Sequence, residues 1–149
     1  WELAAIQALN GAAEWNFTGL GIYTDICVRI IGATFGSGAT CYLRVSIDNG
    51  ANYLSSSGDY VQVQGNGTPN NDTELEFYTT PATAARAGEI IITGVNLTTP
   101  PKFARSNFFS TDGVLLRYMP TTSAINAVRV LNSGAVNFTG GTAYVLGRR

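Results

Sequence analysis

At 149 residues, 45% of them hydrophobic, the chain is long enough to bury one core of ordinary size. Charged residues make up only 13% of it, and nine basic against ten acidic residues leave a net charge of −1. No basic run exists beyond Arg148–Arg149, which argues against a nucleic-acid partner, and histidine is absent, so no Ser-His-Asp, Cys-His or His-rich zinc site can be built from this chain.

Soluble domains usually carry roughly twice this fraction of charge. Here Asn, Ser, Thr and Gly fill the deficit, giving a surface suited to sugars or protein neighbours. No apolar stretch approaches the roughly 18 residues of a membrane span, so membrane insertion is not expected. The chain starts at Trp1 without a methionine and is expected to be the C-terminal part of something longer, with residues 1–149 as a single domain.

In chain order, Trp1–Asn10 reads as a first strand, although its Ala and Leu content would tolerate a helix. Two segments look alike: Trp15-Asn16-Phe17-Thr18-Gly19 and Val136-Asn137-Phe138-Thr139-Gly140. They are either two strand ends with similar turn chemistry or a sign that first and last strands lie side by side. Thr24–Ile30 alternates with Ile26, Val28 and Ile30 inward. Thr40–Ile47 alternates with Cys41, Leu43, Val45 and Ile47 on one face.

Residues 26–31 and 40–47 read as two arms of a hairpin around Phe35–Ala39. That register separates Cys27 from Cys41 by on the order of 17 Å, beyond the roughly 7 Å limit for a disulfide. Two free thiols are therefore expected. Val61 and Val63 alternate with Gln62 and Gln64, and Leu75 and Phe77 with Glu74, Glu76 and Tyr78. Residues 89–97 form a denser apolar run, expected to be buried on both faces of a sheet. Further strands are expected near 114–118, 125–131 and 142–147, punctuated by Gly, Asn, Pro and Asp. The whole predicts an all-β, antiparallel, jelly-roll-like β-sandwich of about 8–10 strands.

Three constellations invite a chemical reading. Ser46-Ile47-Asp48-Asn49-Gly50-Ala51-Asn52-Tyr53 fits the S-x-D-x-G-x-x-aromatic pattern of an Asp-box. In it Asp48 accepts backbone hydrogen bonds of its own turn, Gly50 supplies a positive φ and Tyr53 caps the hairpin. It is expected to be a structural turn, with no catalytic or metal role. Glu74 and Glu76 stand on one strand face with carboxyls about 6–7 Å apart, inside the range a glycosidase needs. A solvated face is the plainer reading, since neighbours on one strand seldom bracket a substrate. Thr98–Gly113 reads as the longest irregular stretch, holding Lys102, Phe103, Arg105, Phe108 and Phe109. A loop with two cations and three aromatics is the expected ligand- or partner-binding site, unless its rings only plug the end of the sandwich. No catalytic residue, metal or cofactor is expected.

Taken together, certain segments carry a resemblance: Trp1-Glu2-Leu3, Phe17-Thr18-Gly19-Leu20, Leu43–Tyr53, Gly88-Glu89-Ile90, Ala124–Val130, Ser133-Gly134 and the closing Gly140–Gly147. They resemble a family of bacteriophage structural β-sandwich modules found in tail fibres, spikes and related virion proteins. Val145-Leu146-Gly147 stands where that family's closing strand has Leu-Tyr-Gly. The resemblance implies a non-enzymatic module on the host-facing surface of a virion, frequently a homotrimer, binding a host cell-surface glycan or protein. It leaves open a structural or decoration module whose partners are other virion subunits, or an accessory domain of a glycan-cleaving tail enzyme. It carries over no site residue.

Overall fold

The computed structural model describes residues 1–35, 39–63, 69–78, 85–99, 101–108 and 114–149. Within them the alternating segments form twelve strands and no α-helix. These are β1 (Glu2–Ala8), β2 (Glu14–Phe17), β3 (Asp25–Phe35), β4 (Cys41–Ser46), β5 (Tyr60–Val63) and β6 (Pro69–Asp72), then β7 (Leu75–Tyr78), β8 (Arg86–Thr93), β9 (Lys102–Phe108), β10 (Val114–Met119), β11 (Ala127–Asn132) and β12 (Phe138–Arg148).

They make an eight-stranded sheet in the order β1-β12-β3-β8-β9-β10-β5-β6 and a four-stranded sheet in the order β2-β11-β4-β7. The pairing is nested: β1 with β12, β2 with β11, β3 with β8 and β4 with β7, every pair antiparallel. A chain doubled on itself and rolled into two layers in this way is a jelly roll. Two insertions raise the strand count above the expected number. β5 and β6 lie between β4 and β7 in sequence, β9 and β10 between β8 and β11, and both extend the large sheet beyond β8. First and last strands do lie side by side, but as β1 and β12; the similar segments at 15–19 and 136–140 enter different sheets.

The hairpin expected from 26–31 and 40–47 is corrected. β3 belongs to the large sheet and β4 to the small one, so the chain crosses between layers there. The expectation of free thiols holds: Cys27 and Cys41 are both buried and unbridged. Alternation nonetheless assigned faces correctly. Ile26, Val28 and Ile30 of β3, Ile90 and Ile92 of β8, and Val145 of β12 meet Leu43 and Val45 of β4, Leu75 and Phe77 of β7, and Val128 and Val130 of β11 in one core. Each such side chain contributes roughly 1.5–3 kcal/mol by leaving water, and Phe35 and Phe138 close one end edge-to-face at 6.0 Å.

Beyond β8 the large sheet curls over the β7 edge of the small one. The Tyr60 hydroxyl of β5 accepts from the Val45 N–H at 2.9 Å and donates to the Leu54 carbonyl at 3.1 Å. Arg117 of β10, fully buried, reaches Glu76 of β7 at 3.1 Å and Asp72 of β6 at 3.4 Å through one nitrogen. Its Nε and Nη1 have no hydrogen-bond partner among the described residues. Glu74 is tied to Arg44 at 2.8 Å. The solvated Glu74–Glu76 face is thus corrected to two carboxylates, each held by a different arginine. The closing glycine of the chain has a packing reason: a Cβ on Gly147 would lie 2.3 Å from the ring of Tyr23.

Candidate functional site

The Asp-box folds as a self-contained turn. Ser46 Oγ accepts from the Asp48 and Gly50 N–H groups at 3.2 and 2.9 Å and donates to Asp48 Oδ1 at 2.6 Å. Asp48 Oδ1 also accepts from the Asn52 N–H at 2.8 Å, and Oδ2 from the Asn52 amide at 2.7 Å. The Ser46 hydroxyl first, then the Asn52 backbone and side chain, hold the Asp48 carboxyl down at about 2. Asn49 and Gly50 both have positive φ, 56° and 92°. Tyr53 lies under Arg129, whose guanidinium carbon is 4.1 Å from the ring centroid. The Ser46 and Asp48 oxygens are spent on the turn itself, Asn49 Oδ1 accepts from the Gly19 N–H at 2.9 Å, and the Tyr53 hydroxyl has no hydrogen-bond partner among the described residues.

The segment expected to be a binding loop is corrected. Lys102–Phe108 is strand β9, paired on one side with β8 and on the other with β10. Pairing in a sheet sorts its residues by parity. Lys102 points inward, fully buried, and Nζ donates to the Thr121 carbonyl at 2.9 Å, so it offers no charge to a partner. Burial holds its pKa below the usual lysine value. Phe103 (56% exposed), Arg105 and Asn107 point outward. Phe109 and the side chain of Phe108 lie outside the described residues.

What the structure brings together is the outer face of the large sheet. One row of directly opposed residues runs Leu3–Leu146–Cys27–Ile91–Arg105–Leu116 across β1, β12, β3, β8, β9 and β10. Beside it lie Phe103 on β9, Ile31 on β3, Ile6 on β1 and the terminal Trp1. Of the eight large hydrophobic side chains exposed among the described residues, six are here: Trp1, Leu3, Ile6, Ile31, Phe103 and Leu116. The run at 89–97 is therefore only half covered: Ile90 and Ile92 are buried, while Ile91 is partly open on this face.

Three shallow depressions adjoin on it. One of about 370 Å³ is lined by Trp1, Ile91, Phe103, Arg105, Leu116 and Arg148, among others. A second of about 490 Å³ lies over Cys27 and Leu146, and a third of about 480 Å³ lies between Ile31 and Asn107.

Charge on this face is sparse and nearly all paired. Arg29 bonds Glu89 at 2.8 Å, and Asn107 donates to the other Glu89 oxygen at 3.3 Å. Arg148 is paired with Asp25 and lies 5.3 Å from the Trp1 ring. Arg105 is exposed and has no ion-pair or hydrogen-bond partner among the described residues. Cys27, a buried member of the row, has its thiol pushed up to about 11 by burial and then by Glu89, which keeps it protonated.

No metal-binding cluster of His, Cys, Asp and Glu occurs among the described residues, and none of their helices is long and apolar enough to cross a membrane. Sequence reasoning found Phe103 and Arg105 but set them in a loop, and it missed Leu3, Ile6, Ile31 and Leu116 as surface. Their register across strands distant in sequence carries the signal, and local alternation does not contain it.

No family model matches the chain, and no curated protein matches it. Among solved structures it is similar to scytalido-glutamic peptidase with a transition state analog inhibitor, at 11% identity and a TM-score of 0.40, covering 96% of this chain and 82% of that one. It is also similar to a homodimeric agglutinin from chicken liver, at 12% identity and a TM-score of 0.44, covering 89% and 99%. A member of the Eqolisin family of peptidases, in a complex with a tripeptide, aligns at 8% and 0.38, covering 96% and 81%. The expectation of a non-enzymatic chain is corrected by these peptidase matches. Likeness at this level transfers no activity, substrate or site to any residue here.

Proposed function

We propose that this chain is a protein-docking module, and that its docking surface is the outer face of the eight-stranded sheet. One observation carries the reading: six of the eight exposed large hydrophobic side chains gather on that face. Side chains that do not serve the core and still cluster mark contact surfaces. Six strands at about 4.8 Å spacing and six residues of strand length give a footprint of about 25 by 20 Å. That is on the order of 500 Å², within the size range of functional patches on monomers. The resemblance to phage structural modules supports a partner among virion subunits and a location on the virion.

A flat apolar band favours a protein neighbour over a host glycan, which is bound more often on aromatic platforms ringed by hydrogen-bonding groups. The glycan reading draws support from the depression where Trp1, Phe103 and Arg105 converge. The test is the double substitution Phe103→Thr with Leu116→Thr, scored for co-sedimentation of the chain with assembled particles. At least a tenfold loss with the fold intact is expected. Unchanged co-sedimentation, together with binding of the wild-type chain on a glycan array that the same substitutions remove, would replace the docking reading with the glycan one.

A further inference from the structure

Resting on that docking reading, we infer that Arg105 is a carboxylate-binding site, and that the partner presents an acidic side chain flanked by apolar ones. Arg105 lies in the middle of the band. Ile91 is opposite it on one side and Leu116 on the other, each about one strand spacing away, with Phe103 about 7 Å along its own strand. Among the described residues, the other two arginines on this face already have their anions: Arg29 has Glu89 and Arg148 has Asp25. Three arginines against two carboxylates among the described residues leave Arg105 as the arginine without an anion there.

An exposed arginine loses little while it stays hydrated. Once an apolar partner covers the band, the guanidinium is desolvated and needs a compensating anion. Its planar fork matches a carboxylate through two parallel hydrogen bonds. The same charge speaks against a second copy of this chain stacked face to face, since that would set an uncompensated Arg105 surface against another. The partner chemistry that fits is a carboxylate on an apolar body, from a different protein.

The site can be tested without the partner. 4-Phenylbutyrate, its neutral amide and glucuronate are titrated into the 149-residue chain and followed by the NMR signals of β8, β9 and β10 and of the Arg105 side-chain N–H. The acid is expected to shift Ile91, Phe103, Arg105 and Leu116 at millimolar concentration, the amide to bind at least tenfold more weakly. Arg105→Gln should bring the acid down to the amide's level, and Arg105→Lys should keep part of the difference. Equal binding of acid and amide on these residues would overturn the inference while leaving the docking face standing. Acid-induced shifts confined to other strands would also overturn it, as would glucuronate binding as tightly as phenylbutyrate, which would make the site one for sugar acids. Failure of the docking reading itself would show separately, as co-sedimentation unaffected by Phe103→Thr with Leu116→Thr.

Discussion

The two outer faces of this sandwich are built from the same alternation and finish differently. On the small sheet, the charged outward residues Arg44, Glu74, Arg129 and Glu14 are paired with one another within the chain. Arg44 holds Glu74, and Arg129 holds Glu14 at 3.1 Å, donates from Nε to Asn16 Oδ1 at 2.7 Å and covers Tyr53. On the large sheet the outward positions include Leu3, Ile31, Ile91, Phe103 and Leu116, and Arg105 has no partner there among the described residues. A face that completes its own interactions is finished as a surface. One that exposes clustered hydrophobic side chains has the character of a contact surface.

The largest effect is expected where the two sheets join. Arg117 is buried between them with Glu76 and Asp72, whose side chains are 23% and 28% exposed. Glu76→Ala strands a buried guanidinium and should cost about 3 kcal/mol in denaturant unfolding. Arg117→Met should cost less, because the carboxylates left behind can rehydrate and two nitrogens without partners leave the interior with it. The reverse order would mean that the seam is held by the arginine's charge.

Next come the faces themselves. Arg129→Ala, on the finished face, removes an ion pair, a hydrogen bond and a ring contact together and should cost about 1–2 kcal/mol. Phe103→Thr or Leu116→Thr, on the unfinished face, should stay within about 0.5 kcal/mol. Equal losses on both faces would erase the distinction between a surface that stabilises the fold and one reserved for a partner.

Acid titration sharpens the comparison at the small sheet's rim. The Asp48 carboxyl titrates at about 2 in the fold, against an ordinary value near 3.8. A depressed folded pKa gives stability that is fully present above pH 4 and lost as pH falls from there toward 2. The stability gap between wild type and Asp48→Asn should therefore be widest above pH 4 and close as pH approaches 2. A gap that persists at pH 2 would assign the turn's stability to its neutral hydrogen bonds.

The smallest effect concerns Cys27, the buried member of the large sheet's outer row. With its thiol at about 11, roughly one molecule in a thousand carries a thiolate at pH 8. Native protein should react with a thiol reagent far more slowly than denatured protein. Rapid native labelling of Cys27 would show that the sheet opens around it.

Much of the architecture was legible in local sequence. Ile26-Val28-Ile30 and Leu43-Val45 announced which side chains meet in the core, and Ser46–Tyr53 announced its own turn, because both depend on neighbours within a few residues. The layer change between β3 and β4 was not legible: alternation is identical whether two strands pair within a sheet or cross between sheets. β9 was hidden for a related reason. Lys102-Phe103-Ala104-Arg105-Ser106-Asn107 places a lysine inward and a phenylalanine outward, the reverse of the usual alternation. Only the register with Ile91 and Leu116 makes it a strand. The apolar outer face was invisible for the same cause, being assembled from six strands spread between Glu2 and Arg148.

The central claim is that the outer face of the large sheet is covered in the working assembly. Carbene footprinting of the free chain and of the chain in particles from its native source tests it residue by residue. The account predicts strong protection of Trp1, Ile91, Phe103, Arg105 and Leu116, with Tyr42 and Arg44 on the small sheet labelled equally in both states. Unchanged labelling of the large-sheet face, or protection confined to the small sheet, would contradict it.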